Sequence, residues 1–137
     1  MNTTSERFAH RRLDAYLVAL ELFEGVEQLA ASFPPGFADL KDQLRRSAAA
    51  TVRHIAEGAN RVLPRDKAAR FAIARGEVGE CDAALDMARI ARLASRDRLG
   101  PLQARADRVA AMLHGLIRRE NARAGNRCPG RKHIGVA

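Results

Sequence analysis

Apolar side chains return at steps of three and four along most of this chain, the period of a helix that buries one face. Ala15, Val18, Leu22, Val26, Leu29 and Phe33 form the first stripe, and Leu40, Leu44, Ala48, Thr51, Ile55, Ala59 and Val62 the second. Phe71, Ala74, Val78, Cys81, Leu85 and Ala88 form a third; Leu99, Leu102, Ala106, Val109, Leu113 and Leu116 a fourth. The stripes predict helices over about residues 7–32, 37–62, 65–94 and 98–121. The connections fall where helix breakers cluster: Phe33-Pro34-Pro35-Gly36, Leu63-Pro64, and Ser95-Arg96-Asp97, with Gly100-Pro101 offering a later start for the fourth helix. No alternating run of useful length points to a strand. The fold expected is all-α, an up-down-up-down antiparallel four-helix bundle over residues 1–123 followed by a flexible basic tail, 124–137.

Two helices carry more than a core stripe. On the first, Leu13, Tyr16, Leu17, Leu20 and Phe23 cover a second face, and between Ala15 and Phe23 only Glu21 is charged. One core cannot bury both faces of an outer helix, so Leu17, Leu20, Leu22 and Phe23 are expected at an interface between copies. On the second helix, Ser47, Ala49 and Ala50 leave room for close approach of another helix, while Gln43, Arg46, His54, Glu57 and Arg61 lie on its flank. Gly76 and Gly79 on the third helix read as close-packing positions.

Composition adds charge to this picture. Hydrophobic residues make up 47% of the 137, enough for one packed domain, and aromatics only 4%, which favours helix over sheet. The net charge of +8 puts polyanions among the partners. Only Lys41, Lys67 and Lys132 of the 24 basic residues are lysine; arginine suits phosphate, although a GC-rich genome gives the same bias. Six basic residues from Arg118 onward face Glu120 alone, leaving residues 1–117 with +3. Cys81 and Cys128 are too few for a disulfide framework, and Cys81 reads as a buried thiol. With neither a signal peptide nor a membrane-length apolar run, the expected location is the cytoplasm, without membrane contact.

Candidate chemistry is sparse. Arg45 and Arg53, eight residues apart on the second helix, are candidates for phosphate contact. Arg46, Glu57, Arg61 and Glu80 fit a structural polar layer inside the bundle or at a joint between copies. Arg118, Arg119, Arg123, Arg127, Arg131 and Lys132 allow two readings: a solubilising tail with helix-dipole complementation, or an arm that binds a phosphate backbone by counterion release. The tail has no interleaved aromatics, so base-specific readout is not expected. His10, His54, His114 and His133 lack metal-ligand spacing, and no nucleophile elbow, phosphate loop or dinucleotide fingerprint occurs. Neither metal, cofactor nor catalysis is expected.

Several short motifs, taken together over most of residues 13–117, resemble the 23S rRNA-intervening-sequence proteins. They are Leu13-x-Ala15-Tyr16, Phe33-Pro34, Gln43-Leu44-Arg45-Arg46 and Ile55-Ala56-Glu57-Gly58-x-x-Arg61, then Phe71-x-x-Ala74-Arg75-Gly76 with Glu80, and Met112-Leu113-x-Gly115-Leu116-Ile117. The chain departs from the family's Ser-Ile-Pro-x-Asn run, having Ala50-Thr51-Val52-Arg53-His54, which should straighten the second helix; Gly76-Glu77 replaces a Gly-Ser. The resemblance implies a small bundle assembling as a ring of five. A related branch, the accessory variability determinants of diversity-generating retroelements, binds nucleic acid and partners a reverse transcriptase. The function expected is therefore non-enzymatic: an oligomeric bundle that binds RNA or DNA backbone through arginines, as accessory to a nucleic-acid enzyme. The alternative is a scaffold docking a protein partner through apolar helix faces.

Overall fold

The computed structural model describes residues 8–126. A short 3-10 turn, Ala9–Arg12, precedes four helices: α1 (Asp14–Ala31), α2 (Ala38–Asn60), α3 (Pro64–Ile90) and α4 (Arg96–Asn126). Each helix packs against the next, and α1 against α4. The side-chain pairings fix the directions. Arg105 reaches Glu21 while Arg98 reaches Gln28, so α1 and α4 run oppositely. Glu27 meets Arg45 across α1 and α2, Lys67 meets Ala59 across α2 and α3, and Gln103 meets Asp82 and Asp86 across α3 and α4. The result is an antiparallel four-helix bundle, without strands among the described residues.

The core is the four stripes. Leu22, Val26, Leu29, Leu44, Ile55, Phe71, Val78, Cys81, Leu85, Leu99, Val109 and Leu113 are all sealed from water. Thr51 sits among them because its hydroxyl donates to Ser47 O at 2.8 Å, leaving no unsatisfied group. Cys81 is buried there as well, and burial pushes its thiol up to about 11. Two C-termini are capped by a cation from a neighbouring helix. Arg98 donates to Ser32 Oγ and Gln28 O at the end of α1, and Lys67 to Ala59 O and Gly58 O at the end of α2.

Helix limits differ from expectation where local chemistry overrides the pattern. The first helix starts at Asp14 rather than near residue 7, because Leu13 is extended (φ −89°, ψ 124°) and the chain before it is a separate turn. The third ends at Ile90 rather than near residue 94. Arg92 adopts φ 62°, and the Arg92 and Leu93 N–H groups return to Arg89 O and Ala88 O, which closes a Schellman motif. The fourth begins at Arg96 and carries Pro101 within it. At the other end it continues to Asn126, past the limit expected near residue 121. Val62 is not core but lies in the α2–α3 turn, 84% exposed. The expected close packing at Gly76 and Gly79 is also absent: both are exposed, with open space where a Cβ would go. Close approach occurs instead at Gly25, against Leu102, and at Gly58, against Phe71. Among the described residues no helix is long and apolar enough to cross a membrane.

Candidate nucleic-acid interface

Antiparallel packing brings the start of α1, the α2–α3 turn and the last turns of α4 to one end of the bundle. Two polar anchors hold this end together. Asn60, closing α2, accepts from Ala9 N at 3.1 Å and meets His10 Nδ1 at 2.8 Å, fastening the N-terminal turn. Lys67, on the first turns of α3, lies beside Glu120, Arg123 and Arg119 of α4. Arg11, Arg12, Arg61, Arg65, Lys67, Arg70, Arg118, Arg119 and Arg123 are thereby gathered against four carboxylates: Asp14, Glu57, Asp66 and Glu120.

Two of those carboxylates act as internal counter-ions. Glu57 Oε1 accepts from Arg61 Nη2 at 2.6 Å and pairs with Arg70 Nε at 3.4 Å. The Arg61 hydrogen bond holds the Glu57 carboxyl below its usual value, and Glu57 in turn raises Arg61. Glu120 is buried and accepts from Arg123 Nη1 at 2.9 Å. Burial lowers the Lys67 ammonium first, Arg123 and Arg119 push the same way, and Glu120 opposes them. Arg11, Arg65, Arg118 and Arg119 are exposed and make no ion pair among the described residues. This is the arrangement a polyanion needs: fixed positive side chains braced from behind, with others free to move onto it.

The residues singled out in the sequence do not form one surface. Arg118, Arg119 and Arg123 belong to the basic end; Arg127, Arg131 and Lys132 lie outside the described residues. Arg45 and Arg53 do not share a face: eight residues make 2.2 turns, which leaves them about 80° apart. Arg45 turns toward α1 and is bound at 2.7 Å to Glu27, whose hydrogen bond raises its pKa. Arg53 lines a groove of about 510 Å³ between α2 and α3. Arg46 lines it too, paired with Asp42 at 3.3 Å rather than with Glu57 or Glu80. Within one copy the expected polar layer is thus split. Glu57 and Arg61 meet and recruit Arg70, while Glu80 lies across the groove beside Glu77. Burial and Glu80 raise the Glu77 carboxyl, against the pull of His54 and Arg53. A basic wall facing an acidic one suits a polyanion poorly. His54 Nδ1 is out of water and has no hydrogen-bond partner among the described residues; Glu57 lies 3.6 Å away, too far for one.

Of the expected interface residues, Leu22 is core, fully buried against the other helices, which rules it out as a contact between copies. Phe23 is half-buried against the same core, whereas Leu17 (48%) and Leu20 (38%) remain exposed. α1 contains Asp14, Glu21, Glu24 and Glu27 and no basic residue, so its outward leucines sit on an acidic helix.

Sequence reasoning missed Arg65, Lys67, Arg70, Arg11 and Arg12, because they join the site only through the packing of distant segments. Glu120 was findable: it falls four residues after Leu116 on the α4 stripe, where an acid has to be buried and paired.

A family model described as 23S rRNA-intervening sequence protein matches residues 11–115. The chain belongs to this family. Within the matched span lie all of α1, α2 and α3, including Arg61, Arg65, Lys67 and Arg70; the match ends before Arg118. The family match thus spans most of the bundle and six of the nine cationic residues of the basic end, Arg11 and Arg12 included, and α4 beyond it supplies the other three, Arg118, Arg119 and Arg123. No curated protein matches the chain.

Proposed function

We propose that this member of the 23S rRNA-intervening sequence family is a nucleic-acid-binding protein that grips the sugar–phosphate backbone with the basic end of its bundle. The observation that carries this is the gathering of Arg11, Arg65, Arg118 and Arg119, exposed and without ion pairs among the described residues, around the braced Arg61, Arg70 and Arg123. Its role is binding, in support of a nucleic-acid enzyme, rather than catalysis. Affinity for a mixed-sequence RNA should fall steeply with salt, and Arg118→Glu/Arg119→Glu should weaken binding and flatten the slope. Arg108→Glu, exposed mid-helix on α4, should do much less. A flat salt response, or equal loss in both variants, removes the reading.

Self-association is part of the same reading. Leu17 and Leu20 point to water from an acidic helix, and a second copy is the simplest cover for them. Several copies joined this way would present several basic ends to one strand, multiplying affinity without new contacts. The ring of five that the family resemblance implies is checked by sedimentation equilibrium. If the leucines instead dock a protein partner, a pull-down of that partner survives nuclease treatment.

A further inference from the structure

The basic end also carries three of the large apolar side chains that this fold leaves in water. Val62 is 84% exposed, Leu63 56% and Phe8 54%. Val62 and Leu63 form the α2–α3 turn, directly after Asn60-Arg61; Phe8 directly precedes Ala9, whose N–H is bound by Asn60. The turn is braced. Arg61 N returns to Glu57 O, Lys67 Nζ holds Ala59 O, and Pro64 fixes the first position of α3. Val62 and Leu63 therefore cannot relieve their exposure by folding back onto the core. Phe8 is held as well: its ring stacks on His10 (centroids 5.7 Å, planes 26° apart), and His10 is bound to Asn60.

We propose that Phe8, Val62 and Leu63 form an apolar tip that packs on the faces of unpaired nucleobases while the surrounding arginines hold the phosphates. The ligand class is then single-stranded or bulged nucleic acid, and this rests on the backbone-binding reading above. A duplex offers arginines the same phosphates, but its base faces are closed by stacking, so an apolar tip gains nothing from it. Unpaired bases present open π-faces, and contact with an aromatic or aliphatic side chain removes apolar surface from water on both sides. Planar recognition falls to Phe8, already stacked on one face by His10. The helices meet this end with their termini, not their sides, so no amphipathic helix lies along the tip as an interfacial membrane anchor requires.

The test compares a labelled mixed-sequence single strand of about 20 nucleotides with its blunt duplex at equal salt. Wild type is expected to prefer the single strand about tenfold. Val62→Ser/Leu63→Ser and Phe8→Ala should each remove most of that preference, leaving duplex affinity and salt slope unchanged. All three positions are exposed, so circular dichroism should show unaltered helix content. Equal affinity of wild type for the two ligands overturns the inference while leaving backbone binding standing, as does equal loss on both ligands or no change in the variants. Failure to bind either ligand sinks backbone binding itself. If vesicles of phosphatidylcholine with a quarter phosphatidylglycerol capture wild type but not Val62→Ser/Leu63→Ser, and strand preference is absent, the tip serves a lipid surface and the inference is wrong.

Discussion

A Cβ placed on Gly58 would stand 2.8 Å from the ring of Phe71 and 3.2 Å from Arg70 Cβ. Glu57 and Gly58, adjacent on α2, thus perform two tasks at one crossing: the acid draws in Arg61 and Arg70, and the glycine lets the Phe71 ring lie on the helix backbone. Gly58→Ala should therefore destabilise by about 1–3 kcal/mol through overpacking. Gly76→Ala, on the open side of α3, should stabilise by about 0.5–1 kcal/mol, since nothing meets the new methyl and glycine is a poor helix former. Paired urea titrations of the two variants check both signs.

Leu20 and Leu22 are two residues apart on α1 and face opposite environments. Leu22 is fully buried, so Leu22→Glu should unfold the chain, at a cost on the order of 5 kcal/mol. Leu20→Glu adds a charge to an exposed position and should leave helicity intact while releasing monomers. Sedimentation velocity reads the second effect and circular dichroism the first. A native chain that sediments as a monomer at micromolar concentration would contradict the self-association reading of Leu17 and Leu20.

The four helices were legible because each core stripe holds its three-four step with little interruption; Ala15 to Leu29 and Phe71 to Ala88 are buried as their spacing requires. The failures are local. Val62 continues the α2 stripe by spacing, but Pro64 forbids helical geometry at Leu63 and α2 ends at Asn60. Leu22 carries two expectations, since its spacing puts it on the α1 core stripe while Leu17, Leu20 and Phe23 surround it in sequence; its full burial sides with the stripe. Arg118, Arg119 and Arg123 were visible as a charge run. Their company was not, because Arg11, Arg65 and Arg70 reach that end through chain reversals that no local pattern encodes.

Arg92 offers a third test. It holds the left-handed position that ends α3, φ 62°, where glycine is the usual residue and any Cβ is strained. Arg92 is also exposed, so its side chain contributes little packing. Arg92→Gly should raise stability by about 0.5–1 kcal/mol, read as a higher midpoint in thermal unfolding. The Schellman bonds to Arg89 O and Ala88 O involve backbone only and should survive the change.

The fastening of the N-terminal turn should depend on pH, and the sign follows from hydrogen-bond direction. The Asn60 amide orientation is fixed by two backbone groups: its oxygen accepts from Ala9 N, and its nitrogen donates to Ala56 O at 2.8 Å. The same nitrogen faces His10 Nδ1, which must therefore accept, so His10 is neutral with its proton on Nε2. Burial against the bundle, with Tyr16 edge-on at 4.6 Å, and the neighbouring Arg11 charge both lower its pKa from the usual 6.5. A lowered folded-state pKa means the unfolded chain binds the proton more readily. The contribution to stability is thus present above pH 6.5 and is lost as pH falls through the folded value. Nitrogen NMR of the His10 ring should show an unprotonated Nδ1 at pH 7.5 and a midpoint below 6.5. Asn60→Asp should reverse the sign, because a carboxylate still accepts from Ala9 N but now attracts a protonated Nδ1, raising the His10 midpoint above that of wild type. Equal midpoints in the two proteins would show that the ring does not accept from Asn60.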